Sequence, residues 1–332
     1  MPVTVETPVE KWAGVIRPIS VGATAAEGGT RGKAAVVGGQ NTLPFLGFEG
    51  QTPNPPLVAV EVWDRNPGDE WPDALVRAWG DALNDPGAWA QQAEAAGADL
   101  ICLRFFAAGA DGARVSAASA RATLRRVLNA TTLPLIVMGP GQAELDNDVL
   151  VACAEEGAGE KLVLGACEDK NYRTIVAAAM ANGHLVTAKT PMDVNLSKQL
   201  NILIHDMGMP MERIITDPTT GGLGYGIEYG YSVMERLRLA GLQGDGMTQQ
   251  PMLVTPGEEA WRTKEARAAE GVPAAWGDWA SRAVNWETMT AGALVESGAD
   301  IVVLRHPETV RRIKRMIGAL AADALAADAL AA

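Results

Sequence analysis

Short apolar runs separated by helical patterns organise this chain. Eight such runs recur, at 57–64 (LVAVEVWD), 99–105 (DLICLRF), 133–139 (LPLIVMG), 161–167 (KLVLGAC), 184–190 (HLVTAKT), 213–217 (RIITD), 252–255 (MLVT) and 300–305 (DIVVLR). Their Val, Ile and Leu residues are continuous rather than alternating. This predicts strands buried on both faces, as in a parallel sheet covered by helices. The segments between them carry the helices. Those at 91–96, 149–156 and 290–297 stop at Gly97, Gly157 and Gly298, where a C-cap is wanted before the next strand. Eight strand–helix alternations predict an α/β fold, a (β/α)8 TIM barrel, rather than an open sheet.

Outside the barrel the pattern changes. Segments 15–21 and 33–39 read as a hairpin with Gly28, Gly29 and Gly32 in its turn, placed to plug the lower end of the barrel. At the other end, Asp-Ala-Leu-Ala-Ala occurs twice from Asp323, with Leu325 and Leu330 about 140° apart on a helix. That stretch reads as a solvated or weakly helical tail. The expected division is an N-terminal extension at 1–56, the barrel at 57–318 and the tail at 319–332.

Composition narrows the function. At 48% hydrophobic and 20% charged residues the chain has ample core for a globular fold. Its net charge of -12 argues against non-specific binding to nucleic acid or to an anionic membrane surface. No run reaches the ~18 apolar residues of a membrane span, and the acidic start (Glu6, Glu10) is not a signal peptide. Cys102, Cys153 and Cys167 are odd in number and never spaced Cys-x-x-Cys, which argues against a disulfide framework or an all-cysteine cluster. A cytoplasmic location is expected.

In such barrels ligands gather at the C-terminal ends of the strands. That rim carries Glu61, Asp64, Arg104, Pro140, Glu168, Asp169, Lys189, Asp217, Thr219, Thr255, Arg305 and His306. After the sixth run, DPTTGGLGYGIEYGYSVMERLRLAGLQGDGM (217–247) turns sharply from strand into amphipathic helix. Gly221, Gly222, Gly224 and Gly226 carry no β-carbon to hold a flat or anionic ligand away. They are expected to leave backbone amides uncovered at the helix N-terminus, where partial positive charge gathers. A ligand or partner contact is predicted there.

No familiar catalytic motif accompanies the rim. GGTRGK (28–33) is not a P-loop, GGLGYG lacks dinucleotide-fingerprint spacing, and His184, His205 and His306 lack metal-ligand spacing. Gly-x-Ser-x-Gly and the cobalamin-ligating Asp-x-His-x-x-Gly are both missing. Lys189 reads as the cation of a rim salt bridge, with a buried base as the alternative. His306 reads as orienting the last helix, with a rim proton donor as the alternative. Asp217 either caps the glycine-rich turn or recognises a ring N–H pattern. Cys167 reads as packing, with a reactive rim thiol as the alternative. Trp276, Trp279 and Trp286 have the spacing of one helix face, which suits core packing or an apolar subunit seam.

Four blocks carry a resemblance: VGGQNTLPFLGFEGQTPNPPLVAVEVWD (37–64), DPTTGGLGYGIEYGYSVMERLRLAGLQGD (217–245), GEEAW (257–261) and GADIVVLRHPETV (298–310). Over roughly 14–318 the chain resembles the small subunit of the corrinoid iron–sulfur protein, equivalent to the delta subunit of the acetyl-CoA decarbonylase/synthase complex. The resemblance implies a heterodimer with a larger subunit that carries the [4Fe–4S] cluster and the main cobalamin-binding domain. The pair would take a methyl group from methyltetrahydrofolate, or a methanopterin analogue, through a methyltransferase. It would deliver that group to acetyl-CoA synthase/CO dehydrogenase in the reductive acetyl-CoA (Wood–Ljungdahl) pathway. Cobalamin is then a shared cofactor, and no iron–sulfur cluster belongs to this chain.

On this resemblance, Thr219, Thr220, Gly221, Gly222, Leu223, Gly224 and Tyr225 are the candidate corrinoid contacts. Threonine hydroxyls suit the amide fringe of a corrin, and Leu223 and Tyr225 suit its apolar plane. Asn41, Thr42 and Leu43 form a weaker second set, unless their loop closes the lower end of the barrel. Two rival readings stand beside this one: a pterin-dependent corrinoid methyltransferase, and a purely architectural subunit.

Overall fold

The computed structural model describes residues 8–109 and 112–331, with side chains as far as Ala322. Glu6 of the acidic start lies outside the described residues. Strands β1 (Ile19–Val21) and β2 (Ala35–Val37) pair antiparallel. Eight further strands follow: β3 (Leu57–Trp63), β4 (Leu100–Arg104), β5 (Leu135–Met138), β6 (Val163–Cys167), β7 (Leu185–Lys189), β8 (Ile214–Asp217), β9 (Leu253–Val254) and β10 (Ile301–Leu304). All pair in parallel, in the order β8-β7-β6-β5-β4-β3-β10-β9. A bridge between Thr216 and Met252 brings the two ends together, with the Thr216 N–H donating to the Pro251 carbonyl at 2.9 Å. The predicted barrel is present.

The continuous apolar runs have a direct cause. Adjacent strand residues point to opposite faces. Ala59, Cys102, Ile136, Val163, Ile215 and Val303 fill the barrel interior, whereas Val58, Val60, Ile101, Leu103 and Val137 pack under the outer helices. Both faces are dry, so neither selects polar residues.

The β1–β2 hairpin closes the lower end. Ile19, Val21, Ala35 and Val37 belong to the same apolar cluster as the barrel interior. Arg31, between the two strands, is 3% exposed and anchors the hairpin. Its Nε meets Glu160 Oε2 at 2.8 Å, and its guanidinium donates to the carbonyls of Leu128, Thr131 and Leu133. The Asn41–Thr42–Leu43 loop lies at this end too. Neighbouring Gln40 donates to the Asp300 carboxylate at 2.6 Å, at the entrance to β10, and the Thr42 hydroxyl donates to the Leu46 carbonyl. These residues therefore sit opposite the glycine-rich rim and join no common site with it. Of the two roles left open for the loop, the geometry gives closure.

Two expectations change. Trp276 lies in a separate turn, Ala274–Trp276, so only Trp279 and Trp286 share the helix Trp279–Glu296. Gly277 breaks the helical phase that equal spacing assumed, at φ +70°. The last helix, Pro307–Ala331, runs on through the Asp-Ala-Leu-Ala-Ala repeats. Its first turns are docked by buried Val310, Ile313 and Ile317. Alanine, the strongest helix former, fills much of the remainder.

Candidate functional site

The barrel mouth is crossed by ion pairs. Strand β3 places Glu61 at the mouth with no solvent exposure. Its Oε1 accepts from Arg305 Nη2 at 2.8 Å and from the Trp63 indole, and Arg104 Nε stands 3.5 Å away. Arg104 also donates to Glu258 Oε2 at 2.9 Å. Burial alone would raise the Glu61 carboxyl, but Arg305 and Arg104 hold it below the ordinary carboxylate range. Behind this layer, the buried Glu287 accepts from the Arg305 amide at 2.6 Å and the His306 amide at 3.2 Å. Burial raises the Glu287 carboxyl despite those bonds. The space left in the mouth is about 60 Å³, lined by Arg104, Glu168, Lys189, Asp217 and Thr255 among others. Small-ligand pockets usually enclose roughly 300–1,000 Å³.

The glycine-rich loop rises beside the mouth from the end of β8. Its turn is held from below: Asp217 Oδ1 accepts from the Thr219 amide at 2.9 Å, and the Thr219 hydroxyl donates to the Thr190 carbonyl at 2.6 Å. Thr219 is left-handed at φ +64°. That conformation costs a β-branched residue about 1–3 kcal/mol and persists only where its surroundings enforce it. Thr220 is buried, and its hydroxyl accepts the Thr255 amide at 2.8 Å, so it faces inward rather than toward a ligand. The expected open nest of amides is partly closed, because the Tyr225 and Ile227 amides both turn back onto the Gly222 carbonyl, at 2.8 and 3.0 Å.

Three of the four glycines are required by the loop itself. A β-carbon at Gly221 would stand 2.2 Å from the Gly226 carbonyl oxygen, and Gly224 and Gly226 have φ of +75° and +96°. Gly222 differs. It is buried, but its β-carbon would meet Glu259 Cβ at 3.5 Å and the Glu259 carbonyl oxygen and Tyr225 Cβ at 3.8 Å, all ordinary contacts. Leu223 packs partly against the core, with Gly224 above Trp286. Tyr225 is 58% exposed at the tip, tied through its hydroxyl to Glu265, and Tyr229 is 66% exposed on the following helix, Ile227–Leu242.

The remaining rim residues divide clearly. His306 stacks on Trp261, and its Nδ1 accepts the Glu308 amide at 3.1 Å. It orients the last helix, and burial lowers its pKa to about 4. Asp217 caps the turn, and burial raises its carboxyl. Cys167 is fully buried, and burial pushes its thiol up. Asp64 is half-buried at the end of β3, and burial lifts its carboxyl to about 6. Lys189 makes no ion pair among the described residues, contrary to the expected salt bridge. Its cross-strand neighbour Asp217 turns its carboxylate to the Thr219 amide instead. Sequence reasoning missed Glu258 as the partner of Arg104, although GEEAW directly follows the seventh strand. Among the described residues, no group of His, Cys, Asp and Glu is arranged to hold a metal ion, and no helix is long and apolar enough to cross a membrane.

Comparison with known proteins agrees with this layout. Residues 21–317 match the family described as CO dehydrogenase/acetyl-CoA synthase delta subunit. The chain belongs to that family. The acetyl-CoA decarbonylase/synthase complex subunit delta of Archaeoglobus fulgidus is 34% identical over 319 residues, covering 94% of this chain and 70% of the relative. The subunit delta of Methanopyrus kandleri is 34% identical over 310 residues, covering 93% and 76%. Among solved structures, a dihydropteroate synthase from Xanthomonas albilineans aligns with a TM-score of 0.55 at 15% identity, over 82% of this chain and 95% of that one. The Burkholderia cenocepacia enzyme complexed with 7,8-dihydropteroate aligns at 0.51 and 18%, over 85% and 98%. At such identities the likeness is one of fold. The delta-subunit family thus uses a barrel whose mouth, in this chain, is occupied by its own ion pairs.

Proposed function

We propose that this chain is the small subunit of a heterodimeric corrinoid iron–sulfur protein, and that its rim loop covers a cobalamin held chiefly by the large subunit. Family membership supports the complex. The loop tip carries the contact: Gly224 and Tyr225 are exposed there, beside a buried Gly222 where an added β-carbon would make only ordinary contacts. A flat macrocycle fits there because the exposed Gly224 presents no side chain, and the Tyr225 and Tyr229 rings offer apolar faces. When bound, the corrinoid supplies a cobalt centre that accepts and passes on a methyl group, between a methyltetrahydrofolate (or methanopterin-analogue) methyltransferase and acetyl-CoA synthase/CO dehydrogenase. This chain's residues orient the macrocycle edge, exclude water from one face and hold the partner in register.

The ion-paired centre of the mouth weighs against a pterin held there, since about 60 Å³ is well short of a small-ligand pocket, a limit that does not apply to the groove of about 610 Å³ beside it. Co-purification with the large subunit tests the proposal. The pair is expected to carry corrinoid and iron–sulfur absorption, with this chain alone colourless. A lone chain that binds methyltetrahydrofolate and methylates free cob(I)alamin would establish the enzyme instead. A pair that keeps its full corrinoid content with Tyr225→Ser would point to architecture alone.

A further inference from the structure

Beside the glycine-rich loop lies a groove of about 610 Å³, ten times the space left in the mouth. Its size falls within the usual range for a small-ligand site. One wall is apolar, formed by Pro191 with Leu196, Leu200 and Leu203 from one face of the helix Val194–Asp206. The opposite side carries Glu168, Asp169 and Lys170, which follow β6, and Lys189 at the end of β7.

Among the described residues, none of these four charged side chains enters an ion pair or a side-chain hydrogen bond. The same helix shows that pairing is available nearby, since Lys198 on it meets Asp245 at 2.6 Å. The groove therefore presents two carboxylates and two ammonium groups with no net charge, Glu168, Asp169 and Lys170 exposed to solvent and Lys189 half-buried near Asp217. An anion would face Glu168 and Asp169, and a cation would face Lys170 and Lys189. A ligand that answers all four donates and accepts hydrogen bonds while staying neutral, and it brings apolar surface for the leucine wall. Primary carboxamides on a hydrocarbon frame have that chemistry. Thr219 makes the groove continuous with the loop: it lines the groove, and its hydroxyl is bonded to the Thr190 carbonyl on the groove wall.

We infer that this groove receives the amide-bearing arms of the macrocycle whose plane lies on the glycine-rich loop, with Lys189 and Glu168 as the paired donor and acceptor. The inference rests on the corrinoid reading above. The test is a titration of methyl-labelled protein with dicyanocobinamide, which carries primary amides, and with dicyano heptamethyl cobyrinate, whose esters cannot donate. Cobinamide is expected to shift the methyl resonances of Leu196, Leu200 and Leu203 together with those of Leu223. It should bind about tenfold more tightly than the ester, the scale of one charge-assisted hydrogen bond. Lys189→Met and Glu168→Gln should each narrow that preference. Shifts at Leu223 without shifts at the three groove leucines, or equal binding of amide and ester, overturn the groove and leave the loop contact standing. No shifts anywhere up to roughly millimolar ligand overturn both.

Discussion

Adding one methyl group at adjacent glycines should separate fold from function. At Gly221 a β-carbon stands 2.2 Å from the Gly226 carbonyl oxygen and 2.9 Å from Ile227 Cα. Both neighbours are backbone, so no side chain can rotate away, and the turn must open by about 1 Å. Overpacking of this kind costs about 1–3 kcal/mol. In a chain of this size each kcal/mol lowers the melting temperature by roughly 2–4 °C. At Gly222 the added carbon meets Glu259 Cβ at 3.5 Å, with no strained φ to resist it. Gly222→Ala should therefore melt at or slightly above wild type, because the restricted unfolded chain contributes about 0.4–1 kcal/mol of stability. The same methyl occupies a buried position 3.8 Å from Tyr225 Cβ, adjoining the exposed tip proposed to meet the macrocycle. The assay is differential scanning calorimetry of each variant, with corrinoid content per heterodimer read from visible absorption. Gly221→Ala should melt several degrees low. Gly222→Ala should melt normally and lose corrinoid. Wild-type corrinoid content in a normally melting Gly222→Ala heterodimer would refute the contact, and wild-type melting of Gly221→Ala would refute the loop geometry.

Two further outcomes test the mouth and the rim. Glu61→Leu leaves the buried Arg305 without its carboxylate and should cost about 3–5 kcal/mol, whereas Glu61→Leu/Arg305→Leu should recover most of that loss because Arg104 keeps Glu258. A double variant melting below both single variants would contradict this. Folding lowers the His306 pKa from 6.5 to about 4, so its contribution to stability is present above pH 6.5 and is lost as pH falls toward about 4. Folding raises the Asp64 pKa from 3.8 to about 6, so its contribution is present below pH 3.8 and is lost as pH rises through about 6. The two slopes oppose each other between about pH 4 and 6. Relative to wild type, Asp64→Asn should make melting temperature climb more steeply with pH across that window, and His306→Asn should make it climb less. Parallel profiles for all three proteins would show that neither group titrates as the burial argument requires.

The sequence alone determined the barrel, because a strand buried on both faces must be apolar at every position, and eight such runs between glycine-capped helices leave few alternatives. It also located the loop after β8, since four glycines near one strand end are legible without contacts. Which of these glycines the loop itself requires was decided only by tertiary structure. That distinction depends on what stands within 3 Å of an absent β-carbon, and for Gly221 the obstacle is Gly226 folded back across the turn. The ion pairs in the mouth were equally hidden, because Glu61 and Arg305 are 244 positions apart and meet only when β3 and β10 pair. The Asn41 loop was placed by the same kind of information: its neighbour Gln40 reaches Asp300 across 260 positions and pins it to the closed end. Local pattern fixes which elements form and where their punctuation falls. Long-range closure decides which rim charges meet one another, as Glu61 and Arg305 do, and which form no ion pair among the described residues, as with Lys189.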